Sequence, residues 1–362
     1  MKVVIAGGGT GGHIFPAVAI GHALQRLQPG TELLFVGAIG KMEMEKVPQE
    51  GFKIVGLDIA GFNRSNIFKN ILLPFKLWKS RMKANQILKE FKPDVVIGVG
   101  GYASFPMLSA AQSKGIATLI QEQNSFAGKT NKILGKKAKA VCVAYDKMEK
   151  FFPSEKISIT GNPVRAAIAH SKVSRAEGLA AFNLDADKKT ILIVGGSLGA
   201  KSINEGIAGG LPEMMKENVQ VLWQTGKLFI SEAKQAAQPY GTRVVAQEFI
   251  RNMEYAYAAA DIVISRAGAM ASAELCIVGK PVIFVPYPFA AEDHQTSNAM
   301  ALVEKGAALI VKDDATKTDL VKVLVQLLQQ EQQQQDMSAQ ILKCAIKDAD
   351  EKIANKVIEI SK

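Results

Sequence analysis

The chain has 362 residues, 48% of them hydrophobic and 22% charged, with a formal net charge of +10 at pH 7. This composition excludes a disordered chain, and the length suits two domains of ordinary size rather than one small core. Three scattered cysteines (Cys142, Cys276 and Cys344) form no CxxC pair, which argues against a disulfide framework or structural zinc and suits a reducing compartment. Met1-Lys2 is followed by only four apolar residues before glycines, and no apolar run reaches the ~18 residues needed to span a bilayer, so a cytosolic protein is expected.

Residues 2–6 read as a buried strand that runs into Gly7-Gly8-Gly9-Thr10-Gly11-Gly12-His13. A helix carrying Ile14, Val18, Ile20, Leu24 and Leu27 follows. Gly7, Gly9 and Gly12 satisfy G-x-G-x-x-G, the dinucleotide fingerprint, but the supporting acid is missing. The next strand, 33–36, ends in Gly37-Ala38-Ile39 where a ribose-binding carboxylate should stand. A nicotinamide enzyme is therefore not expected.

The positive charge is uneven. Between Arg64 and Lys92 there are eight basic residues and one acid, Glu90, and Lys129, Lys132, Lys136, Lys137 and Lys139 form a second cluster. The first is interleaved with Ile67, Phe68, Ile71, Leu72, Leu73, Phe75, Leu77 and Trp78. Nucleic-acid patches favour stacking platforms with polar neighbours, whereas an Ile/Leu/Phe/Trp face rimmed by lysine suits an anionic membrane interface. The expected membrane face is Ile71, Leu72, Phe75 and Trp78 with Lys76 and Lys79 at its rim, and no nucleic-acid partner is expected. A helix that packs inward and leaves its lysines solvated would give the same pattern. Pro74 suggests two short helices or a loop and a helix.

Strands at 94–98, 117–120 and 140–143 alternate with helical runs such as 79–91, which implies a parallel sheet covered on both faces. The loops at 98–102 and 121–124 should open at the same edge as the first glycine turn. Gly161-Asn162-Pro163-Val164-Arg165 reads as a linker, after which the pattern restarts. A strand at 190–194 enters a second glycine turn, Gly195-Gly196-Ser197-Leu198-Gly199-Ala200, and further strands are expected at 220–223, 243–245 and 261–264. The expected fold is α/β, with two Rossmann-like domains facing across a cleft. The first spans 1–162 and the second 163–340, and 341–362 should form a closing helix that packs back toward the first.

Residues 265–299 carry the strongest functional signal. After a strand and a break at Arg266-Ala267-Gly268, small residues open a helix at Ala269, and such a terminus is a ready anion site. Glu274, about one turn further, could accept both hydroxyls of a ribose whose phosphates rest on that terminus. A second strand, 281–285, leads into a loop with Glu292, Asp293, His294, Gln295 and Asn298, polar groups that suit sugar hydroxyls. An ordinary βαβ unit with a polar loop accounts for the same features.

Taken together, GGGTGGH (7–13), GGYASFP (100–106), EQN (122–124), GNPVR (161–165), GGSLGA (195–200), SRAGA…E (265–274) and DHQTSNA (293–299) occur in one order. This series closely resembles the MurG family, bacterial cell-wall N-acetylglucosaminyltransferases with the GT-B fold. The resemblance implies transfer of N-acetylglucosamine, with inversion, from UDP-N-acetylglucosamine to the 4-hydroxyl of undecaprenyl-diphospho-muramoyl pentapeptide at the cytoplasmic face of the inner membrane. It also implies that backbone near Ile250 reads the uracil and Glu274 holds the ribose. Ser197, Arg165 and the helix terminus at Ala269-Met270 would take the diphosphate, and Gln295 the sugar hydroxyls. Thr10, Gly11, Gly12 and Asn124 would reach the donor or the acceptor diphosphate. The family often has threonine where Ala271 stands, which puts one hydroxyl–phosphate contact in doubt.

Inverting transfer needs a base. His13 opens a helix whose positive end favours neutral imidazole, although a capping or packing role fits too, and Glu122 is a neighbouring candidate. Arg165 and the helix terminus can offset leaving-group charge, so neither cofactor nor metal is expected. Asp185-Ala186-Asp187 and Asp348-Ala349-Asp350 are read as solvated. Two rival readings are a UDP-N-acetylglucosamine epimerase of the same architecture and a non-catalytic membrane scaffold.

Overall fold

The computed structural model describes residues 1–59 and 73–362. The chain divides into two compact units, Met1–Arg165 with Asp348–Lys362, and Ala166–Lys347. In the first unit, β1 (Lys2–Ala6), β2 (Glu32–Ala38), β3 (Ile54–Leu57), β4 (Val95–Gly98), β5 (Ala117–Glu122), β6 (Ala140–Val143) and β7 (Ile157–Ile159) form one sheet in the order β3-β2-β1-β4-β5-β6-β7. Every pairing is parallel, with Val3 beside both Leu33 and Val95.

Side chains alternate across a strand, so β1 feeds two cores. Val4 and Ala6 join Val96 and Ile120 under Ile87, Leu88, Met107 and Leu108. Val3 and Ile5 join Val95, Ile97 and Leu119 under Ile14, Ile20 and Leu24. The chain lays β2 and β3 to one side of β1, then crosses to β4 on the other. That reversal leaves a crevice beyond the carboxyl ends of β1 and β4, where ligands of open α/β sheets bind.

The second unit repeats the plan with β8 (Lys189–Val194), β9 (Val219–Gln224), β10 (Val244–Gln247), β11 (Ile262–Ser265), β12 (Val282–Phe284) and β13 (Leu309–Ile310). Their order is β10-β9-β8-β11-β12-β13, again all parallel, so the reversal lies between β8 and β11. The second glycine turn and the break before Ala269 stand at these two strand ends. Trp223, fully buried on β9, donates its indole N–H to Asn204 Oδ1 (3.0 Å).

The expected strands all form, and β3, β7 and β13, which the sequence pattern did not reveal, are short strands at sheet edges. The single closing helix expected over 341–360 is instead the end of one helix, Glu331–Lys343, and a separate one, Ala349–Ile360. The break has a packing cause. Met337 belongs to the second unit's core, whereas Ile353, Ala354 and Val357 are buried in the first unit's core. There the last helix lies against the Gly11–Leu27 helix, and Arg26 pairs with Asp350 (3.1 Å) and Glu351 (3.0 Å). The expected linker is not a loose tether. Asn162, 3% exposed, accepts from Gln121 Nε2 (3.0 Å) and donates to the Gln123 carbonyl (2.9 Å), fastening 161–164 to the end of β5.

Candidate active site

In the first unit two glycine turns interlock at the crevice. The Gly8 N–H donates to the Gly100 carbonyl (3.3 Å), and a Cβ at Gly101 would overlap the Gly8 backbone. Gly100 and Gly101 both have positive φ (94° and 84°), so only glycine fits without strain. Gly11, Gly12 and His13 form the first turn of the Gly11–Leu27 helix after an exposed Thr10. His13 Nδ1 lies 3.1 Å from the Gly8 carbonyl and 3.3 Å from Thr10 Oγ1. A carbonyl can only accept, so the first contact is a hydrogen bond when Nδ1 carries the proton. The neutral ring then keeps its lone pair on Nε2.

Glu122 has its two oxygens engaged by the loop that follows it. Oε1 accepts from the Asn124 N–H (3.1 Å) and Nδ2 (3.3 Å), and Oε2 from the Gly128 N–H (3.1 Å) and Asn131 Nδ2 (2.8 Å). Burial raises its pKa above the ordinary carboxylate value, and these donors oppose the shift. Such a carboxylate orders a loop and presents Asn124. Gln123 Nε2 donates to the Val99 carbonyl (2.7 Å), which ties this loop to the second glycine turn of the unit.

In the second unit, Ser197 is exposed on the 195–200 turn. The buried Gln224 side chain joins this turn to the 248–252 loop. Its Nε2 donates to the Gly196 carbonyl (3.0 Å), and its Oε1 accepts the Ile250 N–H (2.8 Å). Ala269 and Met270 begin the Ala269–Val278 helix behind Gly268, with no side-chain cap and no acid in the first turn. Glu274, 7% exposed, accepts from the Tyr257 hydroxyl (3.1 Å). Gln295, in the first turn of the His294–Val303 helix, accepts the Tyr287 N–H (3.0 Å). The two residues just before that helix, Glu292 (φ 56°) and Asp293 (φ 51°), are left-handed, a strained backbone of the kind found at functional loops. Arg266 is structural: it donates to the Val285 (2.9 Å) and Pro286 (3.0 Å) carbonyls and pairs with Asp313. Arg165, exposed, ends the first segment of the other unit.

Of the expected membrane face, Ile71 and Leu72 lie outside the described residues. Phe75, Trp78 and Met82 project from the Leu73–Phe91 helix at 61%, 58% and 54% exposure, while Ser80, Ala84, Ile87 and Leu88 are buried. Spacing of three to four residues puts those exposed groups on one face, while Ala84, Ile87 and Leu88 pack into the first unit's core. The Phe75 and Trp78 rings lie 6.0 Å apart, Lys76 pairs with Asp58 (3.2 Å), and Lys79, Arg81 and Lys83 are exposed. No helix among the described residues is long and apolar enough to cross a membrane.

Residues 3–143 match the glycosyltransferase family 28 N-terminal domain, and 190–353 its C-terminal domain. The crystal structure of Acinetobacter baumannii MurG superimposes with a TM-score of 0.83 at 31% identity, covering 99% of both chains. A Phocaeicola vulgatus relative is 50% identical over 100% of this chain and 96% of its own. That relative is described as UDP-N-acetylglucosamine–N-acetylmuramyl-(pentapeptide) pyrophosphoryl-undecaprenol N-acetylglucosamine transferase. The chain belongs to the MurG family. A Neisseria meningitidis UDP-GlcNAc 2-epimerase bound to UDP-GlcNAc shares the fold alone, with a TM-score of 0.68 at 16% identity.

Three buried residues that order the candidate site escaped the sequence reading: Glu43, Gln224 and Tyr257. Glu43, 1% exposed, accepts the Gly9 N–H (2.8 Å) and the Ala38 N–H (2.9 Å). The acid missing from the end of β2 thus stands five residues later and turns inward. It fills the first glycine turn with the chain's own negative charge, where a dinucleotide fold would receive a phosphate.

Proposed function

We propose that the chain transfers N-acetylglucosamine, with inversion, from UDP-N-acetylglucosamine to the 4-hydroxyl of a lipid-borne muramoyl pentapeptide, making the disaccharide precursor of peptidoglycan. The Phocaeicola vulgatus relative's full-length similarity supports the assignment. The observation that carries the mechanism is the His13 ring, whose Nδ1 lies 3.1 Å from the Gly8 carbonyl; with the proton on Nδ1, Nε2 is its basic nitrogen. In the transfer, the acceptor O4 attacks the anomeric carbon while Nε2 takes its proton. The anomeric bond to the diphosphate breaks, and its electron pair leaves with UDP.

Donor binding is assigned to the second unit. The Ala269–Met270 terminus and Ser197 meet the diphosphate, Glu274 accepts from the ribose, and Gln295 faces the sugar. With the Ile250 N–H given to Gln224, other backbone groups of that loop would read the uracil. The acceptor's diphosphate falls to Thr10, Gly11, Gly12 and Asn124 in the first unit.

The exposed Phe75–Trp78–Met82 stripe with its basic rim supports a peripheral seat on an anionic membrane, the cytoplasmic face of the bacterial inner membrane. A soluble-substrate epimerase would gain nothing from such a face. Incubation with UDP-N-acetylglucosamine, with and without a lipid-linked muramoyl acceptor, tests the assignment. It requires disaccharide only when acceptor is present. Epimerisation without acceptor, or inertness under both conditions, would refute it. Charge reversal at Lys76, Lys79 and Lys83 should cut partitioning onto anionic vesicles more than tenfold, at roughly 1 kcal/mol per basic residue. Unchanged partitioning would remove the membrane seat.

A further inference from the structure

The Gly8–Gly9 peptide is gripped from both sides. Its N–H, on Gly9, donates to Glu43 Oε2 (2.8 Å), and its carbonyl, on Gly8, takes the His13 Nδ1 contact (3.1 Å). A trans peptide points these two groups in opposite directions, so one flat unit links a buried carboxylate to the imidazole. The other carboxylate oxygen is anchored on the Ala38 N–H at the end of β2 (2.9 Å). Room for this arrangement is built into the chain. A Cβ at Gly8 or Gly37 would overlap the Glu43 carboxyl or its stem, and Gly8 itself has φ 139°.

We propose that Glu43 is a positioning residue that sets the His13 tautomer through the Gly8–Gly9 peptide. Its charge fixes the peptide plane and polarises it, which makes the Gly8 carbonyl a stronger acceptor. The stronger acceptor holds the proton on Nδ1 and keeps Nε2 for the incoming proton. The carboxylate therefore does for this histidine, at one peptide's remove, what a directly bonded carboxylate does in a hydrolase triad. Glu43 touches no substrate, and the kinetic part of this inference rests on His13 being the base.

The direct test is the nitrogen-15 NMR of the imidazoles in the full chain, which has four histidines, with His13 assigned by its loss in His13→Gln. In the wild type the neutral His13 ring should carry its proton on Nδ1; a proton on Nε2 would overturn the proposal with no variant needed. In Glu43→Gln the amide cannot accept from both N–H groups, so the His13 signal should move to a mixture of tautomers. There kcat should fall about tenfold or more, with KM for UDP-N-acetylglucosamine within about twofold, since general-base catalysis supplies roughly 10²–10⁴. Retained UDP binding and an unshifted melting profile would show that the variant is folded. An unchanged tautomer in folded Glu43→Gln would overturn the proposal even if activity is lost. An altered tautomer with full activity would support it and refute His13 as the base.

Discussion

Gly100 lies directly against the His13 ring. An alanine Cβ there would lie 2.7 Å from both Cδ2 and Nε2 of His13. Ordinary carbon contacts begin near 3.5 Å, so the ring must retreat by roughly 0.8 Å or rotate. Either response moves the nitrogen assigned as base, and a displacement of about 1 Å at a reacting group can cost ~10²-fold in rate. Alanine at φ 94° also adds strain of order 1–3 kcal/mol. For a unit of this size that lowers Tm by about 2–4 °C per kcal/mol. Gly100→Ala should therefore fold, melt several degrees lower and turn over roughly a hundredfold more slowly. UDP affinity should be unchanged, because donor binding is assigned to the other unit. The assay is kcat with saturating donor and acceptor beside a thermal melt and UDP calorimetry. Wild-type kcat in a protein with the lowered melt would refute the placement of His13 at the reacting centre.

Other consequences follow from the same geometry. Glu274→Gln should weaken UDP binding by about 10–150-fold, since hydrogen bonds to a charged group contribute roughly 1.5–3 kcal/mol; a calorimetric Kd within twofold of wild type would contradict the ribose role. Activity should survive EDTA, because the Ala269 terminus is assigned the leaving-group charge. The acidic pairs outside the site are meanwhile engaged, Asp185 with Lys188 and Asp350 with Arg26. Loss of activity reversed only by Mg²⁺ would defeat that reading. Burial pushes the Cys142 and Cys276 thiols up to about 12, so alkylation near pH 8 should label the half-buried Cys344 first, as peptide mass mapping would show. Raised thiol values mean that the unfolded chain ionises first. This contribution to stability is complete below about pH 8.5 and is lost progressively toward 12, which melts across that range would register.

Much of the site was legible because glycine turns directly after buried strands have few alternative uses. The turns at 7–13 and 195–200 stand at the two points where strand order reverses, and the helix opening at Ala269 follows β11 as its small residues suggested. What stayed hidden depends on long-range placement. Glu43 sits among other acids, Glu45 and Glu50, and only the pairing of β2 with β1 brings it under Gly9. Gln224 ends an apolar strand and reads as a continuation of it, until Gly196 and Ile250 close on its amide. Tyr257 lies in an alanine-rich helix and is distinguished only by Glu274 arriving beside it. The break at 344–348 was invisible because both flanking segments have helical periodicity, and what separates them is which core each one enters.

The division of labour between the units is tested most directly by a crystal structure with UDP bound. The account predicts diphosphate at the amino end of the Ala269–Val278 helix and the ribose hydroxyls on Glu274. Nucleotide lodged against Gly9 and Thr10, with the Ala269 terminus empty, would contradict it.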